Sequence, residues 1–311
     1  MSETVAALFP VFAVILIGHG LRRAAFVAAD FWSAAERITF YVFFPALLVS
    51  NTAKANLAGL QAGAMAVALL GAIASVVVIA TAIWRALALS GPGFTSLVQS
   101  AIRPNVYVAI AAAVALFGND GLTAISVCIA IVVPTVNVIS VFVLVRFAGA
   151  HGDKQGNDAA PWRAVAFGVV TNPLILACAL GLVLNIAGVG LPPLVGPLLE
   201  ILGRASLPVG LLAVGAGLDF PALRRAGGGV AAASVLKLVV LPAITWFLVR
   251  LLGLEATSGA VTVIMASVPV SASAYVMARQ MGGDAALMAG SITATTLAAA
   301  ATMPLMLMLS G

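Results

Sequence analysis

The chain repeatedly runs for about 20 residues without an acidic or basic side chain, far enough for a helix to cross roughly 30 Å of hydrocarbon. No charged residue stands between Lys54 and Arg85, between Asp120 and Arg146, between Arg163 and Glu200, or after Asp284. Lipid offers no water to satisfy backbone N–H and C=O groups, so such runs are expected to be helices, which close their hydrogen bonds internally. Charged residues make up 8% of the chain and hydrophobic ones 63%. Soluble domains carry roughly 25% charged residues, so this composition excludes one.

Ten spans are expected, at 4–21, 34–53, 62–89, 94–117, 121–147, 162–187, 194–218, 229–252, 256–281 and 285–309. Met1-Ser2-Glu3 offers no basic start for a cleaved signal, and the first apolar run leads into Arg22-Arg23, so it is expected to be a spanning helix. Arg22, Arg23, Arg85, Arg146, Lys154, Arg163, Arg224, Arg225 and Arg279 fall on one set of loops, and Lys54 and Arg250 on the other. The positive-inside rule puts the richer set in the cytoplasm and both termini outside. The expected location is the inner (plasma) membrane. The net charge of +5 is scattered over short loops, so no nucleic-acid partner is expected.

Landmarks recur in the same order in both halves. Glu36 is matched by Glu200, Pro45 by Pro208, Pro104 by Pro269 and Asp120 by Asp284, at offsets of 163 to 165 residues. Leu116-Phe117-Gly118-Asn119-Asp120 is matched by Gln280-Met281-Gly282-Gly283-Asp284. Residues 1–150 and 151–311 thus each hold five expected helices. An odd number reverses the polarity of the second half, which makes the two an inverted-topology repeat. The polar connection from Gly149 to Ala160, with His151, joins them on the cytoplasmic side.

Pro104 and Pro269 interrupt the fourth and ninth spans. Proline has no N–H to donate and disfavours helix at the residue before it. Both helices are expected to be broken, with N–H groups from Asn105 to Tyr107 and from Val270 to Ala272 left unpaired at the starts of the second half-helices. Helix N-termini favour anions, and Asn105, Ser271, Ser273, Tyr107 and Tyr275 add polar side chains there. Arg103 has two uses: pairing with a substrate carboxylate, or neutralising the negative ends of the first half-helices. Lys237, midway along the eighth span, has the same two. Asn51 and Asn137 are candidates either for the cavity or for hydrogen bonds between helices. Glu200 and Arg204 have the spacing of an ion pair along one helix.

No Asp or Glu is expected near the midplane. A buried metal ion or proton needs a negative ligand, so the site is positive or neutral and suits an organic anion. Cys128 and Cys178 are isolated in apolar segments, which points to packing and not to a disulfide or metal site. No cofactor is expected. His19 is expected to be structural. No Ser–His pair or pair of membrane aspartates suggests an enzyme.

These residues resemble the auxin efflux carrier family, especially its bacterial members described as malonate or other organic-anion transporters. The most specific stretches are Ala101-Ile102-Arg103-Pro104-Asn105-Val106-Tyr107-Val108 through Gly118-Asn119-Asp120-Gly121, and Ala266-Ser267-Val268-Pro269 through Gly282-Gly283-Asp284. Phe43-Phe44-Pro45-Ala46-Leu47 is similar to the family's second helix. The resemblance implies an all-α integral membrane protein of ten helices with two crossing broken helices, an NhaA-like transporter fold. It also implies a scaffold of helices one, two, six and seven, a transport unit of three to five and eight to ten, and homodimers joined through the scaffold. The family's crossover residues map onto Pro104, Asn105 and Pro269. Plant auxin carriers have an asparagine where Val270 stands and a serine where Leu48 stands, so a carboxylate smaller than auxin is expected.

The leading expectation is a secondary carrier that moves an organic anion by alternating access. A sodium- or proton-coupled transporter of cations or bile-acid-like substrates on the same fold is a second. A non-transporting receptor or membrane subunit is a third. The residues leave open the coupling ion, proton or sodium, and the direction of transport.

Overall fold

The computed structural model describes residues 2–54, 60–148, 171–224 and 227–310. Its regular elements are all helical, apart from one backbone bridge between Pro104 and Val270. The connection from Gly149 to Ala160, with His151, lies outside the described residues.

Helix α1 is Ser2–Arg23. Helix α2 (Ala29–Ile38) continues through a π turn at Thr39–Phe43 into α3 (Phe44–Lys54). Pro45 lacks an N–H and would crowd the carbonyl four residues back, and the widened turn just before it accommodates the ring. Next come α4 (Ala62–Ile83), α5 (Gly91–Ile102), α6 (Val106–Phe147), α7 (Pro173–Ile186), α8 (Val195–Ala216) and the short α9 (Phe220–Arg224). Helix α10 (Gly228–Val235) repeats the π-turn device at Leu236–Val240, ahead of Pro242 in α11 (Leu241–Leu251). The chain closes with α12 (Ala256–Ser267), α13 (Ser273–Gln280) and α14 (Ala285–Ser310).

Among the described residues, six stretches are long and apolar enough to cross a membrane: 4–23, 62–83, 106–147, 195–216, 228–251 and 285–308. Phe9, Val78, Phe142 and Phe247 are exposed on such helices, as expected where an outer face meets lipid and no polar stripe is needed. The long α6 turns at Gly118, whose φ is 55°. Gly282, between α13 and α14, has a φ of 78°. Only glycine enters this region without a steric penalty. The two glycines lie 164 residues apart, at the offset of the sequence landmarks.

Helix α1 packs on α8, and α3 packs on both α7 and α8. A Cβ at Gly18 would collide with the backbone of Leu212, and one at Gly215 with that of Ile15. Small residues are what let membrane helices approach this closely. In a second group, α11 packs on α4 and α12, and α14 packs on α10 and α12, while α12 also lies along α6.

Two smaller expectations resolve here. Glu200 pairs with Lys54 on α3, not with Arg204. The packing of α3 on α8 brings in a partner from outside the helix, and that contact displaces the i to i+4 pair. Cys128 and Cys178 are buried and unbridged, in keeping with a packing role.

Candidate functional site

Helix α5 stops at Ile102 and α6 starts at Val106; α12 stops at Ser267 and α13 starts at Ser273. The two interruptions run antiparallel to each other. The Asn105 N–H donates to the Pro269 carbonyl at 2.8 Å, and the Ser271 N–H to the Arg103 carbonyl at 3.2 Å. Proline explains the pairing: without an N–H at 104 or 269 neither helix can continue its ladder, and the extended segments satisfy each other instead. The Val270 N–H is met by Thr295 Oγ1 at 3.1 Å.

Asn105 corrects the expectation of a row of unpaired N–H groups. Its Oδ1 accepts from the N–H groups of Tyr107 and Val108, at 3.1 and 3.3 Å, as the N-cap of α6. Asparagine is among the strongest N-caps, and a cap competes directly with any ligand for those donors. With Asn105, Tyr107, Val270 and Ser271 all supplied, far fewer backbone donors remain for an anion than the sequence suggested. Among the described residues the Asn105 amide NH2 meets no hydrogen-bond acceptor, so that residue retains a donor of its own.

Arg103 is buried. Its guanidinium donates to Asn137 Oδ1 at 2.9 Å, to Ser140 Oγ and Met277 Sδ at 3.4 Å, and to Ser273 Oγ at 3.2 Å. All four partners are neutral. Its Nε has no partner among the described residues. Ser273, also bonded to Ser271 at 2.9 Å between hydroxyls, is the first residue of α13, so Arg103 reaches toward the positive end of that half-helix. Among the described residues the guanidinium makes no hydrogen bond to the terminal carbonyls of α5. That geometry argues against the purely neutralising role.

Lys237 is arranged the other way. It is wholly buried, and its ammonium donates to the Ala266 carbonyl at 3.1 Å. Ala266 is in the last turn of α12, where carbonyls lack helical partners and the dipole is negative. Lys237 also lines a cavity of about 10 Å³ with Ile102 and Pro104, at the end of α5. Its ammonium thus meets the negative end of α12.

Four half-helix ends meet at the crossing, two worth about +0.5 and two about −0.5, so together they cancel. Arg103 and Lys237 then leave an excess of two positive charges. Among the described residues the one ion pair is Lys54 with Glu200, remote from both cations in character: both its members are about half exposed.

The other candidates divide. Asn137 joins the site through Arg103. Asn51 does not; its amide donates to Thr123 Oγ1 at 3.3 Å, which makes it a link between helices. Tyr107 stacks on Phe44, with centroids 4.7 Å apart and planes 9° from parallel. Tyr275 packs against the small cluster of Val270, Ala274 and Met288, and Arg279 lies over its ring. His19 sits 4.8 Å from the Phe220 ring, a packing role. Sequence reasoning missed Ser140, Met277 and Thr295. Ser140 had a legible signal, since it follows Asn137 by three residues and shares its helix face.

Long apolar helices around a polar crossing of two broken ones define a multi-pass membrane protein. The family model described as "Membrane transport protein", which covers the auxin efflux carriers, matches residues 4–307, and the chain belongs to that family. It is also similar to an uncharacterized transporter of Methanothermobacter thermautotrophicus, at 24% identity over 308 residues, covering 98% of this chain and 96% of the relative.

Proposed function

We propose that the protein is a secondary transporter that carries a small organic anion, a carboxylate such as malonate, by alternating access. The observation that supports it most is the Arg103 guanidinium, buried among neutral partners with its Nε unpaired. Burying a charge without a counter-ion is costly. A bound carboxylate removes that cost, and its release restores it, as a carrier that must also let go requires. Ser273 and Asn137, and the amide NH2 of Asn105, are the further donors.

In this reading the chain forms ten spans in two inverted five-helix repeats, 1–150 and 151–311. The first, second, sixth and seventh spans are a scaffold, against which the remaining spans carry the crossing from one side to the other. The packing of α1, α3, α7 and α8 into one group and of α4, α10, α11, α12 and α14 into another favours that division. Homodimers form through the scaffold, and a proton or sodium ion is the coupling partner. Neither terminus is cytoplasmic.

Purified protein in proteoliposomes tests the proposal with a panel of labelled mono- and dicarboxylates. Saturable uptake of at least one carboxylate, lost in Arg103→Leu, is expected. Uptake of none of them, or full uptake by a folded Arg103→Leu protein, would overturn it.

A further inference from the structure

Gln99 lies one helical turn before Arg103, and its carbonyl accepts the Arg103 N–H at 2.9 Å. The two side chains therefore leave the end of α5 on the same face. Gln99 is wholly buried, yet among the described residues neither its amide nitrogen nor its amide oxygen has a hydrogen-bond partner. The Nε of Arg103, one helical turn further on, has none there either. Buried polar side chains nearly always find partners, and unmet ones are costly. Three orphan atoms on one helix face, one of them on the guanidinium that reaches the exposed Ser273, mark groups that a ligand completes.

The chemistry of the orphans is specific. Arginine Nε–H and the glutamine NH2 only donate, whereas the glutamine oxygen only accepts. A plain carboxylate offers acceptors alone. It meets the donors and leaves Gln99 Oε1 unpaired. A hydroxyl beside the carboxylate supplies the missing donor while accepting from the same amide.

We propose that Gln99 is a specificity-determining residue, and that the site selects hydroxycarboxylates over the same anions without the hydroxyl. The proposal rests on the anion-carrier reading above. The carboxylate takes the Nε–H of Arg103, and the hydroxyl exchanges two hydrogen bonds with the Gln99 amide. A site built around a hydroxyl rejects the analogue that lacks it, because its own buried groups are then left unpaired. One lost neutral hydrogen bond sets the preference at about tenfold. If Gln99 instead only oriented Arg103, by accepting from its Nε–H, the hydroxyl would bring no preference.

The experiment compares malonate with hydroxymalonate, as competitors of labelled malonate on the full-length protein in detergent. Wild type is expected to bind hydroxymalonate about tenfold more tightly. Gln99→Leu and Gln99→Met should bring the ratio to about one, by weakening hydroxymalonate more than malonate. Equal affinities in wild type would overturn the proposal, whatever the variants do. So would an unchanged ratio in either folded variant. If neither anion binds wild type, and the wider carboxylate panel gives no uptake, the anion-carrier reading itself fails. Equal binding of both anions leaves that reading standing and removes only the role of Gln99.

Discussion

Arg103 and Lys237 are both buried cations at the crossing of two broken helices, yet their surroundings differ in kind. Lys237 donates to a carbonyl in the last turn of α12, so it meets a permanent partial negative charge. Arg103 donates to two serines, an asparagine and a methionine, and reaches toward the positive end of α13. One cation is matched by the fold. The other is held in place by groups that orient it without neutralising it. Burial of a charge therefore does not by itself mark a ligand site, and the partners decide.

Substitutions that treat the two cations alike break this contrast most directly. Arg103→Leu is expected to weaken carboxylate binding about 30-fold or more, the low end for truncating one side of a buried charge pair. Its unfolding temperature without ligand should hardly fall. Arg103→Lys keeps the charge but loses the planar fork, so its affinity should lie between wild type and Arg103→Leu in a competition assay.

Lys237→Met should do the opposite. Losing a hydrogen bond from a charged group to a helix-end carbonyl costs about 1.5–3 kcal/mol of stability. A lower unfolding midpoint in detergent, with unchanged anion affinity in the folded fraction, is the expected result. Full stability with lost affinity would make Lys237 a ligand and erase the distinction.

Asn105 sharpens the comparison at a finer scale. Asn105→Ala removes the cap of α6 and should cost about 1 kcal/mol of stability. Asn105→Asp keeps a capping oxygen but places a negative charge beside the site. Thermal unfolding should show it near wild type, while competition binding shows weaker affinity. The smallest effect is expected from Lys54→Ala, since that residue and Glu200 are about half exposed and far from the crossing in role. Its anion affinity should match wild type.

Much of this was legible from residue types. Pro104 and Pro269 announce two breaks because proline cannot donate, and their matched positions foretell that the breaks belong together. Gly118 and Gly282 stand at equivalent turns for the same kind of reason, a backbone demand that one residue type meets. The site was legible only in part. Asn105 is an N-cap because its side-chain oxygen meets the first free N–H groups of its own helix, a local competition that composition does not reveal. Ser140 on α6 and Met277 on α13 meet Arg103 only because the fold brings two separate helices to one guanidinium. Glu200 chose Lys54 over Arg204 for the same reason, a contact made by packing and not by spacing. Gln99 had a signal in its four-residue spacing from Arg103, but its lack of partners exists only in three dimensions.

The central claim is that Arg103, and not Lys237, is the cation that meets the anion. Equilibrium binding of labelled malonate to wild type, Arg103→Leu and Lys237→Met, each corrected for its folded fraction, tests it most directly. Saturable binding by wild type and Lys237→Met, with none or nearly none by Arg103→Leu, is the result predicted here. Equal affinity in Arg103→Leu and wild type would contradict it.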